Sequence, residues 1–553
     1  MKVALVTTPP EPVSGVGDYT RRLLPYLREH FEVHIFVATG LEGEAWPGET
    51  LHPVSALRQG GYDHLLYQLG NWINHTFMVP LVKQYGGTVV LHDWILFDLA
   101  MAAWPSLHRF GFAGLVRAFR EGGGEGVRIW LENRLLGRTR RAWWKAARLA
   151  EDLPGTLLSG WYSREATGRW IGDVAGFRVP AKGCHGVKIR LSGEPGRRVR
   201  LALEARGLAS VRFTRRRRTA ELSAAFPPRD RPRLTLEVAP VRSIPYQRKV
   251  GDTRRLGAMV HSLSFVDPGG EHPIDLHLPP ADPLPPGDIR RDRFRLAFNR
   301  SVTRNADAFI VHSEHLRGRI ENARGRSTPV GVVPLGAGKR WQDEIRPGDR
   351  NETRTGLGLP AHWKDGMLLT SFGHVQSHKR NQVLLRALAA VRRIRPAVRL
   401  ALVGGLEPEQ FDVEALVAEL DLGDAVHIAG HVSEEAVRGF LHASDVVVQL
   451  RGPTTGGSSS AVFEGLAHGR PVIGSALAEQ RELPDACVGK IPPGGGEIES
   501  LTGMLVDLHD HPEKRLTMEA AARRYVEEEC HLSHVAHKYA AFLREFPGPR
   551  GWG

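Results

Sequence analysis

The sequence predicts an α/β protein with two parallel-sheet, Rossmann-like domains and a β-sandwich inserted into the first. Short apolar strands alternate with helical segments in residues 1–155 and again from residue 367 onward, an order typical of βαβ units. Between residues 156 and 270 this pattern stops. Short alternating runs separated by turn residues replace it, and such runs indicate the strands of a sandwich.

The first series begins with the strand Lys2–Thr7 and a helix over Tyr19–His30. Its further predicted strands are Phe31–Ala38, Tyr62–Leu69 and Thr88–Leu91. After residue 270 the α/β pattern resumes with a helix over Arg293–Ala306 and strands at Ala308–His312 and Val330–Pro334. Because the pattern resumes, the β-rich segment is interpreted as an insertion into the first domain.

The second series has five predicted strands, and its last stretch, residues 512–546, has helical periodicity. The strands are Met367–Phe372, Arg399–Val403, Ala425–Ala429, Asp445–Leu450 and Pro471–Ser475. The predicted regions are residues 1–155 and 271–337 as the two parts of the N-terminal domain, 156–270 as the insertion, 338–530 as the C-terminal domain, and 531–553 as a C-terminal helix and tail that return to the N-terminal domain.

Length and composition are those of an ordinary globular protein. At about 150 residues per domain, 553 residues predict three or four domains. The first apolar stretch stops at Pro9 and Pro10, which favours a strand over a signal peptide, and no apolar run approaches the roughly 18 residues of a membrane span. Cys184, Cys487 and Cys530 are too scattered for a metal site and are predicted to be free thiols. We therefore expect a cytoplasmic protein.

The net charge of +13 and the isoelectric point near 9.9 favour an anionic partner. Nucleic acid, acidic lipid and a phosphorylated substrate all fit this excess of positive charge. Nucleic acid is the weakest of the three, because the sequence carries no recognised nucleic-acid-binding motif. We therefore predict no nucleic-acid partner.

Two segments lie where a phosphate group could bind. Gly15 and Gly17 follow the first strand and precede a helix, so backbone N–H groups and the positive helix end point to one place. A plain strand-to-helix turn explains these glycines equally well. In the second series, Gly373 and His374 are followed by Lys379, a cation able to neutralise a diphosphate leaving group. Taken alone, Lys379 is better explained as a solvated lysine at a helix start.

A third segment joins a strand, a Gly/Ser loop and a helix N-terminus, which together can bind an anion through backbone amides. Its candidate donor-binding residues are Arg451, Gly456, Gly457, Ser458 and Ser459. Glu464, about two turns into the helix, could accept hydrogen bonds from ribose hydroxyls. A flexible loop is the alternative, and it is less favoured because open α/β sheets bind ligands at the ends of their strands.

Together these residues resemble glycosyltransferase family 4, which comprises retaining enzymes of GT-B architecture with two Rossmann-like domains facing across a cleft. The resemblance covers most of the chain outside the insertion. The segments that carry it are Val13–Tyr19, Tyr67–Asn71 with His75, Leu91–Asp93, Ala306–Ser313, Val333–Gly336, Ser371–Lys379, Val403–Gly405 and Asp445–Val472.

The resemblance implies transfer of a sugar from a UDP- or GDP-linked donor to a glycan or lipid-linked acceptor, without metal or cofactor. In the family, the first glycine-rich loop faces the donor diphosphate, and a histidine that His92 matches contacts the transferred sugar. Lys379 matches the second member of a basic pair that binds the diphosphate, whereas His374 replaces the arginine of that pair. His92 and Lys379 are the predicted catalytic residues. The predicted acceptor-side residues are Asp93, His75 and Asn71.

The Glu-x7-Glu motif of the family is incomplete. Glu464 matches its second acid, but Gly456 stands at the first, and Gly457 stands where some relatives carry a glutamate instead. The first acid contacts the sugar in the family. A second function class therefore remains open, a protein that binds a nucleotide or sugar without turnover.

Two further features leave alternatives open. In the insertion, Trp161, Tyr162 and Trp170 could stack on sugar rings, although core packing is the commoner fate of a tryptophan.

Residues 105–150 are rich in Arg and Lys, and Arg215–Arg218 is a second basic run. The first stretch could form an amphipathic helix at a membrane surface, and a solvated face fits it equally well. Because bacterial relatives often build cell-surface glycans on lipid carriers, and residues 105–150 lie in the predicted acceptor domain, we expect this stretch to hold the protein peripherally at the inner face of the plasma membrane.

Overall fold

The structure is a computed structural model. It describes residues 1–9, 14–41, 46, 48–59, 61–108, 111–136, 157, 161–165, 168–172, 174–179, 181–203, 206–230, 232–239, 257–274, 276, 293–338, 350–406, 412–494 and 496–546. Among the helices in these ranges, none combines the length and the apolar character that a membrane span requires.

The first domain contains a parallel sheet of seven strands. Five of them precede the β-rich segment: β1 Lys2–Val6, β2 Glu32–Val37, β3 Leu51–Pro53, β4 His64–Leu69 and β5 Thr88–Leu91. The helices of this part are α1 Gly15–Arg28, α2 Met78–Tyr85, α3 Phe97–Ala103 and α4 Phe112–Leu136. Helix α4 is broken at Gly123, whose φ of 65° lies outside the helical region.

The β-rich segment forms two antiparallel sheets around a common apolar core. One sheet has the order β11-β10-β13-β8, and the other has the order β12-β9-β14-β7-β6 with β15 paired to β14. The strands are β6 Trp161–Glu165, β7 Gly168–Ile171, β8 Val174–Arg178, β9 Cys184–Gly193, β10 Arg198–Leu203, β11 Arg206–Arg212, β12 Thr219–Arg229, β13 Arg233–Ala239, β14 Ala258–Asp267 and β15 Gly270–Pro273. Trp161 is fully buried in this core, and its indole N–H donates to the Gly176 carbonyl at 2.6 Å, so it packs instead of presenting a surface for sugars.

The chain then returns to the first sheet. The added elements are α5 Arg300–Thr303, β16 Ala308–Val311, α6 Glu314–Arg324 and β17 Val330–Val332. Strand β16 pairs in parallel with β5, which completes the order β17-β16-β5-β4-β1-β2-β3. The β-rich segment thus lies in sequence between two neighbouring strands of one sheet.

The helix predicted over Arg293–Ala306 is wrong, because only α5 is helical in that range. The segment before α5 packs as irregular chain against the loop after β5, where Leu96 donates to the Ala297 carbonyl at 2.7 Å. The Phe298 ring stacks on Phe97 at 6.2 Å between centroids, and its φ of 45° interrupts the helix. Tertiary contacts therefore override local periodicity here.

The second domain is a six-stranded parallel sheet in the order β20-β19-β18-β21-β22-β23. Its strands are β18 Leu368–Phe372, β19 Arg399–Val403, β20 Val426–Gly430, β21 Val446–Gln449, β22 Val472–Ser475 and β23 Val488–Ile491. Its helices are α7 Arg350–Gly356, α8 Asn381–Arg392, α9 Val413–Glu419, α10 Glu434–Ala443, α11 Ser460–Ala467, α12 Glu497–Asp510 and α13 Pro512–Tyr525. Two parallel α/β sheets in GT-B arrangement with an antiparallel sandwich confirm the predicted fold class.

The stretch over residues 512–546, predicted to be helical, consists of two helices. A π-turn over Val526–Cys530 follows α13, and the chain turns at His531 before α14 Leu532–Glu545. Helix α14 packs on α1, and Tyr539 shares a buried cluster with Leu23 and Leu27. The last helix therefore lies on the first domain.

Candidate active site

The loops at the carboxyl ends of β5 and β21 contact each other directly, so the two sheets face one another at this edge. The Trp94 and Ile95 amides donate to the Thr455 carbonyl at 3.1 and 2.9 Å. The Thr455 hydroxyl donates to the Asp93 carboxylate at 2.6 Å. This is the edge where open α/β sheets bind ligands.

Gly456 and Gly457 lie within this contact. Gly456 has a φ of 81°, and a Cβ there would stand 3.1 Å from the Trp94 Cβ. A Cβ on Gly457 would stand 2.2 Å from the His92 carbonyl oxygen and 2.5 Å from an Asp93 carboxylate oxygen. A glutamate at either position does not fit this arrangement. The glycines that leave the acidic motif incomplete are therefore the residues that let the two loops touch.

Glu464, the acid that matches the family motif, is part of an ion pair across the domains. Its partner is Arg22 on α1, which also lies 3.2 Å from Asp18. Both side chains of the interdomain pair are about four-fifths buried. The carboxylate predicted to accept from ribose hydroxyls is thus bonded to a guanidinium of the first domain.

The predicted phosphate side of the site lies after β18. Gly373 has a φ of 107°, a conformation that glycine adopts readily, and Lys379 Nζ lies 4.0 Å from where its Cβ would stand. Burial, together with the nearby charge of Arg451, lowers the pKa of Lys379 to about 7. His374 is exposed, with its ring 3.3 Å from where a Gly405 Cβ would stand. Among the described residues, no carboxylate pairs with Lys379.

Arg451 connects the phosphate side to the Gly/Ser loop. Its guanidinium donates to the Gly457 carbonyl at 3.1 Å and lies 3.9 Å from Glu479. Its backbone amide donates to the Ser475 hydroxyl at 2.9 Å, which ties it to the end of β22. The positive charge of Arg451 lowers the pKa of Lys379, so these two cations lie near each other. An anion placed between them would relieve that repulsion.

The first glycine-rich loop precedes α1. The Ser14 hydroxyl caps the helix by accepting from the Gly17 amide at 3.1 Å. A Cβ on Gly17 would stand 2.5 Å from the Pro9 carbonyl oxygen, whereas a Cβ on Gly15 would meet nothing within 4 Å. Gly17 is therefore required by packing against the end of β1, and Gly15 leaves its side of the turn open.

His92 follows β5 and sits in a chain of hydrogen bonds. Its Nδ1 lies 3.2 Å from His312 Nε2, and its Nε2 lies 2.8 Å from Gln68 Oε1. His312 Nδ1 donates to the Val333 carbonyl at 2.9 Å, so His312 Nε2 accepts and His92 Nδ1 donates. His92 Nε2 is then an acceptor. It accepts from the Gln68 side-chain NH2 group when the oxygen and nitrogen of that amide are exchanged.

The two histidines are neutral in this arrangement. Burial lowers the pKa of His92 well below its usual range, and the neighbouring His312 lowers it further. Burial likewise lowers the pKa of His312 to about 4. Both ring nitrogens of His92 have protein partners, so contact between His92 and a sugar requires one of these bonds to open.

The predicted acceptor-side residues support the loops of the first domain. Asn71 accepts from the amides of Asp98 and Leu99 at 2.8 and 3.2 Å, which caps the start of α3. His75 is buried beneath the same loop, 3.1 Å from the Gln68 carbonyl, and burial lowers its pKa to about 4. Asp93 accepts from the Asn71 amide at 3.1 Å and also from Thr455. Only Asp93 of the three reaches the second domain through these bonds.

Ser458 and Ser459 line an interdomain cavity that Glu479 also lines. Arg22, Thr455 and Glu479 were not among the residues predicted from sequence. A usable signal exists for Glu479, because it lies four positions after the end of β22, near the ligand-binding edge of the sheet. Arg22 and Thr455 carry no comparable local signal.

The comparisons with known proteins bear on this edge of the second domain. Residues 367–511, which contain Lys379, Arg451 and Glu464, match a family model described as glycosyl transferases group 1. These residues form a group 1 glycosyltransferase domain. The group 1 domain therefore supplies the cations and the acid of the candidate site, whereas His92 and Arg22 come from the first domain.

Similarity to individual proteins is lower. The chain is 28% identical over 256 residues to a D-inositol 3-phosphate glycosyltransferase of Thermomonospora curvata, covering 44% of this chain and 58% of the relative. It is 22% identical over 254 residues to a GDP-mannose-dependent monoacylated alpha-(1-6)-phosphatidylinositol monomannoside mannosyltransferase of Corynebacterium glutamicum, covering 45% and 65%. The chain spans about half the length of the curated relatives it matches. Among solved structures, HepE of Anabaena with UDP aligns over 99% of this chain and all of its own, at 11% identity and a TM-score of 0.47.

Proposed function

We propose that this protein is a retaining glycosyltransferase that moves a sugar from a UDP- or GDP-linked donor to a glycan or lipid-linked acceptor. The observation that carries the proposal is the pair of cations, Lys379 and Arg451, at the strand ends of a group 1 glycosyltransferase domain. A nucleotide-diphosphate leaving group places its negative charge where such cations stabilise it.

The proposed mechanism assigns the leaving group to the second domain. As the bond between sugar and diphosphate breaks, negative charge builds on the diphosphate, and Lys379 in its charged form offsets it. The N-termini of α8 and α11 add partial positive charge at the same edge. We propose that these groups suffice without a metal. Retention of anomeric configuration is proposed from the resemblance to family 4.

The proposed acceptor follows from the curated relatives. Their names describe transfer to D-inositol 3-phosphate and to an acylated phosphatidylinositol mannoside. A phosphorylated or lipid-linked polyol acceptor would suit a chain with a net charge of +13. We propose a role in cell-surface polysaccharide synthesis on this basis.

We further propose peripheral association with a membrane surface. Helix α4 exposes Phe112 and Phe119, at 81% and 58% of their surface, next to the exposed Arg120. Apolar side chains beside basic ones are the composition of a helix that lies in an anionic interface. The residues from 137 to 150, which contain five of the ten basic residues of the predicted stretch, lie outside the described residues.

Transfer can be tested by incubating the protein with UDP- and GDP-linked hexoses and candidate acceptors, with product formation followed by mass spectrometry. We expect one donor to yield a glycosylated product whose anomeric configuration, determined by NMR, matches that of the donor. Inverted configuration would remove the retaining mechanism. If none of the donors yields a product, the proposal that the protein is a glycosyltransferase is contradicted.

A second candidate function is binding of a nucleotide or sugar without turnover. The ion pair between Arg22 and Glu464 favours it, because the acid that would hold the ribose already has a partner. Titration with UDP and GDP separates the two proposals. Binding without product formation supports the second candidate.

A further inference from the structure

A cavity of about 420 Å³ lies in the first domain, between α4, the segment before α5, and α6. Trp94 and Ile95, whose amides donate to the Thr455 carbonyl of the second domain, form part of its wall. Its volume falls within the range of about 300–1,000 Å³ that is typical of small-molecule sites. The cavity therefore has room for a small ligand at the border of the cleft.

Three arginines in this wall have no acidic partner. Arg300 begins α5, Arg304 directly follows that helix, and Arg319 lies on α6. Within the described part of the chain, none of their guanidinium groups forms an ion pair or a hydrogen bond. Cations that border one cavity repel each other, and an anion bound between them would relieve that repulsion.

The two glutamates in the wall are already engaged. Glu121, which is 1% exposed, accepts from the Ser301 amide and hydroxyl at 3.1 and 2.6 Å. Glu125 has a side chain that is 77% exposed and lies 4.0 Å from Arg128. Neither carboxylate pairs with the three arginines, so the wall carries an excess of positive charge.

The break in α4 makes room for one of these arginines. Gly123 has a φ of 65°, and a Cβ at this position would overlap the Arg300 guanidinium. A larger residue at position 123 would therefore displace the guanidinium, and it would also strain the backbone. The local fold thus holds the Arg300 guanidinium against a helix break, although no side chain among the described residues bonds it.

The cavity also borders the loop that carries Lys379. Phe294, in the cavity wall, contacts the ring of His378 in the second domain, with 5.5 Å between the ring centroids. His378 immediately precedes Lys379, the residue proposed to stabilise the donor diphosphate. A ligand in the cavity would therefore lie beside the donor side of the cleft, where transfer requires the acceptor to be held.

The wall chemistry favours a phosphorylated ligand. Guanidinium groups match the oxygens of phosphate in bidentate geometry. A phosphoryl group carries about −1.5 to −2 charges near pH 7 and three strong acceptor oxygens, so it can bond several guanidinium groups at once. A neutral sugar would leave the positive charge of the wall uncompensated, and a nucleic-acid duplex is too large for the cavity.

We propose that this cavity binds a phosphoryl group of the acceptor through Arg300, Arg304 and Arg319. The proposal rests on the proposed transfer function and assigns that function a phosphorylated acceptor bound in the first domain. The phosphoryl group can belong to a soluble polyol phosphate or to a phospholipid headgroup, because both present the same oxygens to the arginines.

The test is calorimetric titration of wild-type protein, Arg300→Gln, Arg304→Gln and Arg319→Gln with myo-inositol 1-phosphate, glucose 6-phosphate and unphosphorylated myo-inositol. Each titration is run with and without saturating UDP or GDP, so that an acceptor that binds only after the donor is also detected. Co-sedimentation with phosphatidylcholine vesicles, with and without phosphatidylinositol, tests the lipid source. Arg326→Gln, at an exposed arginine of the same domain outside the cavity wall, is the matched control.

We expect each cavity variant to weaken binding of the phosphorylated probe at least fivefold, whereas Arg326→Gln stays within twofold of wild type. Binding of UDP and GDP should stay within twofold in all variants, because the proposed diphosphate site lies in the second domain. Arg304 and Arg319 form no side-chain bonds within the described chain, so we expect their variants to melt with the wild-type protein. Soluble phosphates and phosphatidylinositol vesicles identify the source of the phosphoryl group by which of them loses binding in the variants.

The outcomes separate this inference from the proposed function. Phosphate-probe binding that no cavity variant weakens more than Arg326→Gln would overturn the site and leave the transfer proposal standing. Failure of wild-type protein to bind every phosphorylated probe and vesicle would overturn the site as well. Phosphate binding that the cavity variants abolish, in a protein with no nucleotide affinity, would support the cavity and contradict the transfer proposal.

Discussion

Arg22 and Glu464, on helices of different domains, form an ion pair across the cleft. The pair closes the cleft at the position where a ribose was expected to bind. Nucleotide binding through Glu464 would have to break this pair. Breaking the ion pair therefore costs free energy when a nucleotide binds, and binding measurements can determine that free energy.

We predict that Arg22→Ala strengthens binding of the preferred nucleoside diphosphate by at least tenfold. Tenfold corresponds to ~1.4 kcal/mol, and a hydrogen bond to a charged group contributes about 1.5–3 kcal/mol. Calorimetry measures the dissociation constant. Arg28→Ala is the control, because Arg28 lies on the same helix and pairs with Glu49 within the first domain. Weaker binding by Arg22→Ala would instead make Arg22 a direct ligand contact.

Lys379 should make nucleotide binding pH-dependent. Its pKa of about 7 means that the ammonium loses its proton as the pH rises through 7. A bound diphosphate favours the charged form and raises that pKa, so binding at pH 8 should take up protons, and affinity should fall with rising pH.

Titrations at pH 8 in buffers of different ionisation enthalpy measure this uptake. Lys379→Ala should abolish it and cost on the order of 1.5–3 kcal/mol of binding. Lys364→Ala, an exposed lysine of the same domain, should change neither quantity. Proton uptake that survives in Lys379→Ala would assign the titration to another group.

Gly457 should be intolerant of a side chain. An alanine Cβ would stand 2.2 Å from the His92 carbonyl, so we predict that Gly457→Ala separates the loops and lowers stability by on the order of 1–3 kcal/mol. Small-angle X-ray scattering should show a larger radius of gyration. Gly503→Ala, in α12 with nothing near its Cβ, should leave the shape unchanged. Equal scattering from both variants would contradict direct loop contact.

His92 should affect both stability and transfer. His92→Ala leaves His312 Nε2 without its donor, so we predict a loss of about 1–3 kcal/mol in unfolding free energy. We also predict at least a tenfold fall in transfer. His312→Ala is the comparison, because it breaks the same bond from the other side. Equal losses of transfer in the two variants, at saturating donor, would make His92 a structural residue only.

Membrane association should depend on the exposed phenylalanines of α4. In co-sedimentation with anionic liposomes, replacing Phe112 and Phe119 by serine should weaken binding at least tenfold, because each fully buried phenylalanine contributes about 1.5–3 kcal/mol. Binding should also weaken with added salt. Leu516→Ser, at an equally exposed leucine of the second domain, is the control. Wild-type protein that stays in the supernatant at low salt would remove the membrane proposal.

The amino-acid sequence by itself determined the two parallel sheets and the β-rich segment between them, because strand and helix periodicity depends only on residues close in the chain. It also placed Lys379 and the Gly/Ser loop at strand ends, since turn residues and strand order are read locally. The helix that the sequence predicts over Arg293–Ala306 is wrong, because that segment packs as irregular chain against the loop after β5.

Only the tertiary structure decided which side chains meet. Arg22 and Glu464 are 442 positions apart, and Asp93 and Thr455 are 362 apart, so no local pattern relates them. The ion pair between Arg451 and Glu479 likewise depends on how the fold brings the loops after β21 and β22 together. Periodicity determines which face of an element is buried, whereas the partner of a polar group depends on how whole domains pack, and that packing determined the candidate site.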